Sequence, residues 1–534
     1  MFDRGFFCII THMETVSTVQ PTPSMISRLF SRAAAPYWVM FGIAMGIRIV
    51  HQLLVSRADP MYGFLLQGGD NYTYDRWANE IAQQFWLGWD RIPFFHGPLY
   101  PYFLSLIYLR FGHLHDPAAW TQRLLGAVSV VLIFYLARRI FGKKAGWLAG
   151  LAAALCPLSL FYEGELLVET LLVFLHLSTL CLFLEAAARK TWQWWVCCGF
   201  MMGLCCVCRP NVMLLVPFAA CWMGAAAGGS WKKRVLSALV FAVVAMAVMA
   251  PVTALNYSFS GRFFPVTYSG SYNLYIGNAP DAIGVFFTPP SMKVIREAEQ
   301  KEDVDIPWRA YLLKEWRKDP TLLPRKLWLK TKLFWQSGEL PCDVNFYVRR
   351  EFSPLYASPF RWAFLTPLGL AGLALTFFRK PPRQLTDARI LFAAYLLLYA
   401  FSVILVFVPG RLRMPALAVL IIFAGYALAK VMEGILQSIK SRGISPLLYP
   451  SAIVMVLWGA LGVALRSPDD FMLIRWNDYF NMGSACEIQG NYAEALRHYE
   501  HARTRAPELE SLQEVCDNLR KRMDKMKDMK KSGT

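Results

Sequence analysis

The sequence predicts an all-α polytopic membrane protein of about eleven transmembrane helices, with external loop helices and a C-terminal helical repeat, and three observations predict it. The 534 residues are 56% hydrophobic and 15% aromatic, and only 17% are charged; soluble domains carry roughly a quarter. Apolar runs near the ~20 residues that cross ~30 Å of hydrocarbon recur along the chain. The 55 Lys and Arg, behind a net charge of +18, sit mostly in short clusters between those runs rather than on one stripe, which argues for membrane topology and against nucleic acid.

The runs are Tyr37–Val55, Trp120–Arg138, Ala145–Tyr162, Leu166–Ala186, Trp192–Cys208, Asn211–Ala226, Val235–Leu255, Phe360–Phe378, Ile390–Val408, Met414–Ile435 and Tyr449–Leu465. The segment from Leu99, "LYPYFLSLIYLRFG", is read as a juxtamembrane or re-entrant helix. As a full span it would put "RRIFGKK" (Arg138 to Lys144) outside, whereas without it the basic groups at Arg138, Arg189, Trp231, Arg379 and Lys440 all fall inside. The N-terminus is then inside and the C-terminus outside. Residues 1–35 read as a cytoplasmic tail, or as an over-long start with Met25 as the true one. Residues 36–257 form the membrane core with a first external loop at 56–118. A large external loop follows at 258–358, then further spans at 359–466 and a helical tail at 467–534. Of the 12 cysteines, most (Cys156, Cys181, Cys197, Cys198, Cys205, Cys206, Cys208, Cys221) lie inside apolar runs and read as small apolar side chains, not as a metal site or disulfide frame.

This topology brings five polar elements to the external side: the loop at Asp70, "FYEGELLVET" from Phe161, "CRPN" from Cys208, the stretch from Ser258, and "PGRLRMP" from Pro409. Acids come from two of them (Asp70; Glu163, Glu165, Glu169) and arginines from two others (Arg209; Arg411, Arg413). Arginine at an outer boundary opposes the charge bias and needs a partner, which an anionic ligand would supply. Asp70 keeps company with Tyr74 and Trp77 at helical spacing and with Asp90 and His96. Glu169 lies just inside an apolar span, where an ionisable group is a functional hypothesis by default. The plainer alternatives are a surface acid at Asp70, a helix-start glutamate at Glu169, a packing or capping His96, and interfacial anchors at Arg209 and Arg413.

In the large loop, "PWRAYLLKEWRKDPTLLPRKLWLKTKLFWQSGEL" suits an interfacial helix pair with Trp308, Trp316, Trp328 and Trp335. Its Lys326, Lys330 and Lys332 read as interfacial anchors, with lipid phosphate as the alternative. In the tail, Gly483, Gly490, Tyr492, Ala495, Tyr499, Ala502 and Pro507 stand where a tetratricopeptide repeat places its small and aromatic packing residues. A single repeat cannot bury its apolar face alone, so the helix from Ser511 to about Met526 or a protein partner caps it. The lysine-rich end from Lys525 reads as a solvated tail.

Asp70 with Tyr74 four residues on, "HGPLYP" (His96 to Pro101), "VET" (Val168 to Thr170), "CRPN" and "GRLRMP" together resemble the polyprenyl-phosphate-sugar-dependent glycosyltransferases of the GT-C class. Within the class the pattern is most similar to bacterial relatives of the protein O-mannosyltransferases and of the lipid A aminoarabinose transferase. "GSYNLYIGNAPDAIGVFFTP", from Gly270, is similar to a recurring element of their external loop. The resemblance implies a GT-C-type bundle in a bacterial cell membrane. It further implies a polyprenyl phosphate or diphosphate sugar donor, and a lipid, glycan or protein acceptor met on the external side. It implies Asp70 as general base and Glu169 as second acid, orienting the acceptor or helping to hold a divalent cation. Arg209, Arg411 and Arg413 follow as clamps for the departing phosphate, with Tyr74 and His96 in the substrate site. Two departures stand out: Asn71 in place of a second acid, and Gly97 in place of the commoner proline. A secondary transporter or lipid flippase, and a non-catalytic scaffold that recruits proteins through the repeat, are the alternatives. The absence of an internal repeat and the clustering of charge at one surface speak against the transporter.

Overall fold

The computed structural model describes residues 34–84, 93–379, 387–441, 448–464 and 474–532. By packing, residues 1–39 and 40–534 form two units. The first is described only from residue 34, just before the first helix at Ala35, and the second holds the rest of that helix and all later ones. The expected N-terminal tail and Asp90 lie outside the described residues.

Helix succeeds helix, and the described residues contain no strand. The membrane core runs α1 (Ala35–Ala58), α2 (Asp70–Gln84), α3 (Leu99–Phe111), α4 (His115–Phe141), α5 (Lys143–Ala154), α6 (Pro157–Tyr162), α7 (Glu169–Arg189), α8 (Trp192–Cys208), α9 (Val216–Ala227) and α10 (Trp231–Ser260). The large loop contributes α11 (Ser269–Asn278), α12 (Pro290–Glu299), α13 (Trp308–Lys318) and α14 (Leu322–Trp335). Then come α15 (Trp362–Arg379), α16 (Ala388–Ile404), α17 (Met414–Ser441) and α18 (Leu448–Ala464), and a C-terminal group α19 (Trp476–Ile488), α20 (Tyr492–Arg505) and α21 (Glu510–Ser532).

Six stretches among the described residues are long and apolar enough to cross a membrane: α1, α4, α7, Pro210–Ala227, α10 and Gly410–Lys440. Four shorter apolar helices accompany them, Trp192–Cys208, Trp362–Phe377, Ala388–Ile404 and Ala452–Ala464. The eleventh expected span, Ala145–Tyr162, is broken. Pro157 has no N–H to extend the ladder and pushes the residue before it out of the helical region, so Cys156 is extended (φ −71°, ψ 112°) between α5 and α6. The outward face of α10, with Val235, Leu236, Leu239, Val243 and Met246 exposed, is apolar as a lipid-facing surface must be. At 13 residues α3 reaches only about 20 Å, too short to span, as the charge pattern requires.

The large loop has a core of its own in Tyr272, Tyr275, Ile276, Met292, Ile306, Trp308 and Leu312. Trp308 is therefore a core residue rather than an interfacial anchor, while Trp328 on α14 is exposed. Two of the three lysines are braces, and Lys332 is exposed. Lys326 donates to the carbonyls of Pro280 and Ala282 at 2.9 and 2.6 Å, and Lys330 to Asn278 Oδ1 and to the carbonyls of Leu405 and Val406 at 2.7, 3.0 and 2.9 Å. Burial pulls the Lys330 ammonium down to about 7. These bonds tie the loop to the end of α16, beside the turn that carries Arg411.

In the C-terminal group Gly483 lies against the Tyr499 ring, where a Cβ would come within 2.6 Å, and Cys486, Ala495, Tyr499, Cys516 and Leu519 close a small core. The lysine-rich end is not a separate tail: Lys525 is within α21.

Candidate active site

Two acids head helices and two arginines sit where helices are interrupted. Asp70 opens α2 and Glu169 opens α7, positions where the positive end of the helix dipole favours a carboxylate. Arg209 is extended (φ −149°, ψ 113°) because Pro210 follows it, which ends α8 at Cys208 and turns the chain into a 3₁₀ segment. Arg411 lies in the 3₁₀ turn Gly410–Arg413 that precedes α17.

These side chains meet. Arg411 Nη2 donates to Asp70 Oδ2 at 2.5 Å; its Nη1 lies 3.0 Å from Asp343 Oδ2 and its Nε 3.8 Å from Glu169 Oε1. Arg209 Nη2 stands 3.4 Å from the same Glu169 oxygen. His96 Nε2 faces Asp70 Oδ1 at 3.6 Å, and the rings of Tyr74 and His96 lie 5.2 Å apart. Burial alone would raise the Asp70 carboxyl, but the Arg411 guanidinium, helped by His96 and Arg209, holds it well below the usual carboxylate range. Burial likewise holds the His96 imidazole below its ordinary value, so it is neutral at pH 7.

A cavity of about 320 Å³ opens over this group. Asp70, Tyr74, His96, Arg209 and Arg411 form its polar part, and Phe286, Val403, Val406, Phe407 and Leu412 an apolar part. Glu169 reaches it only through Arg209 and Arg411. Gly97 explains how two separate loops converge here: a Cβ at that position would meet the carbonyl oxygens of Cys208 and Val207 at 2.4 and 2.5 Å. Glycine lets the His96 loop lie directly on the turn that carries Arg209, which a proline could not do without displacing it.

Arg413 is not brought to the cavity. It is 1% exposed and donates to the carbonyls of Gln336 and Gly338 at 2.9 and 2.6 Å, pairs with Glu339 at 2.9 Å and lies over the Trp362 ring. The reason is local geometry, because residues two apart in a 3₁₀ turn point to different sides. Glu163 and Glu165 are also placed elsewhere, buried against Arg48 at 2.6 Å and against Arg349. Arg349 also pairs with Asp59 at 2.6 Å.

Sequence reasoning missed Asp343 and Glu339. Both lie in the irregular stretch after α14, where no periodicity singles out an acid. The only signal was indirect, since Asp70 and Glu169 are taken up by Arg209 and Arg411 and leave no partner for Arg413. Asp343 is held up at about 6, mainly by burial, with Arg411 opposing and Asp70 and Glu169 adding to the rise. In this arrangement the Arg411 guanidinium, not a metal cation, lies between Asp70 and Glu169. Among the described residues no group of three or more His, Cys, Asp or Glu could hold a metal ion, and the three acids nearest one another are already gathered by the Arg411 guanidinium.

Residues 95–254 match the family model of dolichyl-phosphate-mannose-protein mannosyltransferases. Over that stretch, less than a third of the chain, the sequence is similar to a glycosyltransferase family. It spans His96, Glu169 and Arg209 and leaves Asp70, Asp343 and Arg411 outside. No curated protein sequence matches the chain. Among solved structures, the archaeal oligosaccharyltransferase AglB from Archaeoglobus fulgidus, in complex with an inhibitory peptide and a dolichol-phosphate, is 16% identical with a TM-score of 0.44; the alignment covers 86% of this chain and 59% of that one. The same organism's oligosaccharyltransferase in complex with Zn and sulfate is 16% identical, at a TM-score of 0.45 and covering 85% and 56%. ArnT from Cupriavidus metallidurans bound to undecaprenyl phosphate is 15% identical, at a TM-score of 0.43 and covering 86% and 74%. The chain thus spans less than two thirds of the length of the archaeal enzymes.

Proposed function

We propose that the chain transfers a sugar from a polyprenyl phosphate or diphosphate donor to an acceptor hydroxyl on the external side of a bacterial cell membrane. The observation that carries the reading is the cavity in which a carboxylate, two arginines and an apolar wall meet. The apolar wall suits the start of a lipid tail and the arginines suit its phosphate. Asp70 Oδ1, the oxygen not paired with Arg411, takes the acceptor's proton. The acceptor oxygen bonds to the anomeric carbon, the bond from that carbon to the phosphate oxygen breaks, and its electron pair leaves with the lipid phosphate beside Arg209. A divalent cation between Asp70 and Glu169 would require Arg411 to swing aside, so no step is assigned to one. A protein acceptor, and a partner bound through the C-terminal helices, are compatible with the reading and are not needed by it. Purified protein given labelled polyprenyl-phosphate sugars tests it. Acceptor-dependent loss of label from the lipid is expected; an intact donor across phosphate and diphosphate forms would refute it.

The reading also sets a pH dependence. At neutral pH the two guanidinium groups of Arg209 and Arg411 face three carboxylates, Asp70, Glu169 and Asp343, with His96 neutral. A sugar phosphodiester does not titrate between pH 5 and 7. Asp343 does, because its pKa is raised to about 6, so lowering the pH through that value neutralises one of the three acids and frees Arg411 for an anion. Donor KM should therefore fall as pH drops from about 7 to about 5, and the fall should be smaller in Asp343→Asn. An identical pH trend in the two proteins would rule Asp343 out as its source.

A further inference from the structure

Asp343 is fixed from outside the membrane core. Arg475, just before α19, donates from Nη2 to the Cys342 carbonyl at 2.7 Å. Asn345 Nδ2 donates to Asp478 Oδ2 at 2.7 Å. The residues on either side of Asp343 are thus both held by the head of one helix. That head is tied to itself: Asp478 is buried, its carboxylate accepts the Arg475 backbone N–H at 2.7 Å and pairs with the Arg475 guanidinium at 2.8 Å, and its own N–H donates to the Arg475 carbonyl at 3.2 Å. Arg505 on α20 donates to the Ile474 carbonyl at 3.1 Å and steadies the approach to α19. The same group touches the first external loop, where Gln489 donates to the Pro60 carbonyl at 2.9 Å. The membrane core and the C-terminal helices are therefore joined at the segment that presents a carboxylate to Arg411.

We propose that the C-terminal helices are a latch on the active site, in which Arg475 and Asp478 are positioning residues that hold Asp343 against Arg411 and thereby set the Asp70–Arg411 pair. The inference rests on the function proposed above. Its physical content is competition for one guanidinium. Held in place, Asp343 shares Arg411 with Asp70, which keeps Asp70 fixed yet less tightly neutralised and so a better base. Released, Asp343 leaves Arg411 to Asp70 alone, and a carboxylate bound that closely is slow to take a proton. The latch acts on turnover through Asp70, so kcat should fall on release, while donor KM should hold or fall because Asp343 no longer competes for Arg411.

The test is a double-mutant cycle on the full chain in detergent or nanodiscs. Asn345→Asp sets a carboxylate against Asp478 and opens the latch; adding Asp478→Asn restores a hydrogen bond of reversed direction. Arg475→Lys is the milder second opening, since it keeps the charge but loses the fork that reaches both Cys342 and Asp478. Two quantities are read: kcat and donor KM with a lipid-linked sugar, and the rate at which a membrane-impermeant maleimide modifies Cys342, measured on its peptide. Cys342 is half-buried with its Sγ 3.6 Å from Arg411 Nη2, so it reports release of the segment. Asn345→Asp should lower kcat about tenfold, keep donor KM level or lower it, and speed Cys342 modification. The double variant should return kcat and labelling toward the parent, and Arg475→Lys should fall between. Faster labelling with unchanged kcat would overturn the latch, as would a kcat loss that the double variant does not recover. A parent that transfers no sugar would sink the proposed function instead, and the labelling cycle would still decide whether the C-terminal helices fix the segment.

Discussion

Asp70→Asn should lower kcat by roughly 10²–10⁴-fold with donor saturating, the usual worth of a general base. Asparagine keeps the size and polarity of the side chain but cannot accept the acceptor's proton. The fold should survive, because Arg411 keeps Asp343 at 3.0 Å and Glu169 at 3.8 Å as partners. Donor KM should stay level or fall, since a negative charge is removed from beside the phosphate. The acid limb of activity should not be traceable to Asp70, whose carboxyl is held ionised far below neutral pH by Arg411 against the effect of burial. A rate equal to the parent in a donor-saturated assay would remove Asp70 from the mechanism. Glu163 and Glu165 are poor substitutes, being buried against Arg48 and Arg349. Asp343 would be the next acid to test.

How much the sequence made legible depends on which signals are local. Apolar runs and basic clusters report a solvent environment residue by residue, so the long helices and the single face shared by Asp70, Glu169, Arg209 and Arg411 could be read directly. Helix ends were legible where proline dictates them, as at Pro210, and hidden where the same rule cuts an apolar run, as at Pro157 inside Ala145–Tyr162. Asp343 was illegible because nothing in "ELPCDVNF" has a period. Its role comes from Arg411, Arg475 and Asp478, which are 68 or more positions away in the chain. Lys330 was misjudged because an amphipathic pattern fixes which face is polar but not whether that face meets lipid or the carbonyls of Leu405 and Val406.

The same limit separates Arg209 from Arg413, which looked alike in sequence and should behave oppositely when replaced. Arg209 lines the cavity with its side chain 15% exposed, and its ion pair to Glu169 is loose at 3.4 Å. That is the state expected of a guanidinium that takes on a phosphate's developing charge. Arg209→Ala should therefore cost about 10²–10³-fold in kcat/KM for donor, as loss of one such donor does, with little change in thermal stability. Lys at this site should recover only part, since a point charge cannot form the paired hydrogen bonds of the fork. Arg413→Ala should do the reverse. It strips the carbonyls of Gln336 and Gly338 of their donor and leaves Glu339, 8% exposed, without its partner. Removing one member of a buried pair costs about 3–5 kcal/mol, so a clear drop in melting temperature in detergent is expected, with donor KM near the parent value in whatever fraction stays folded. Matching donor kcat/KM values in parent and Arg209→Ala would remove the clamp from Arg209. A raised donor KM in a thermally intact Arg413→Ala would mean that Arg413 reaches the ligand after all and that its buried position is not the one in which the protein works.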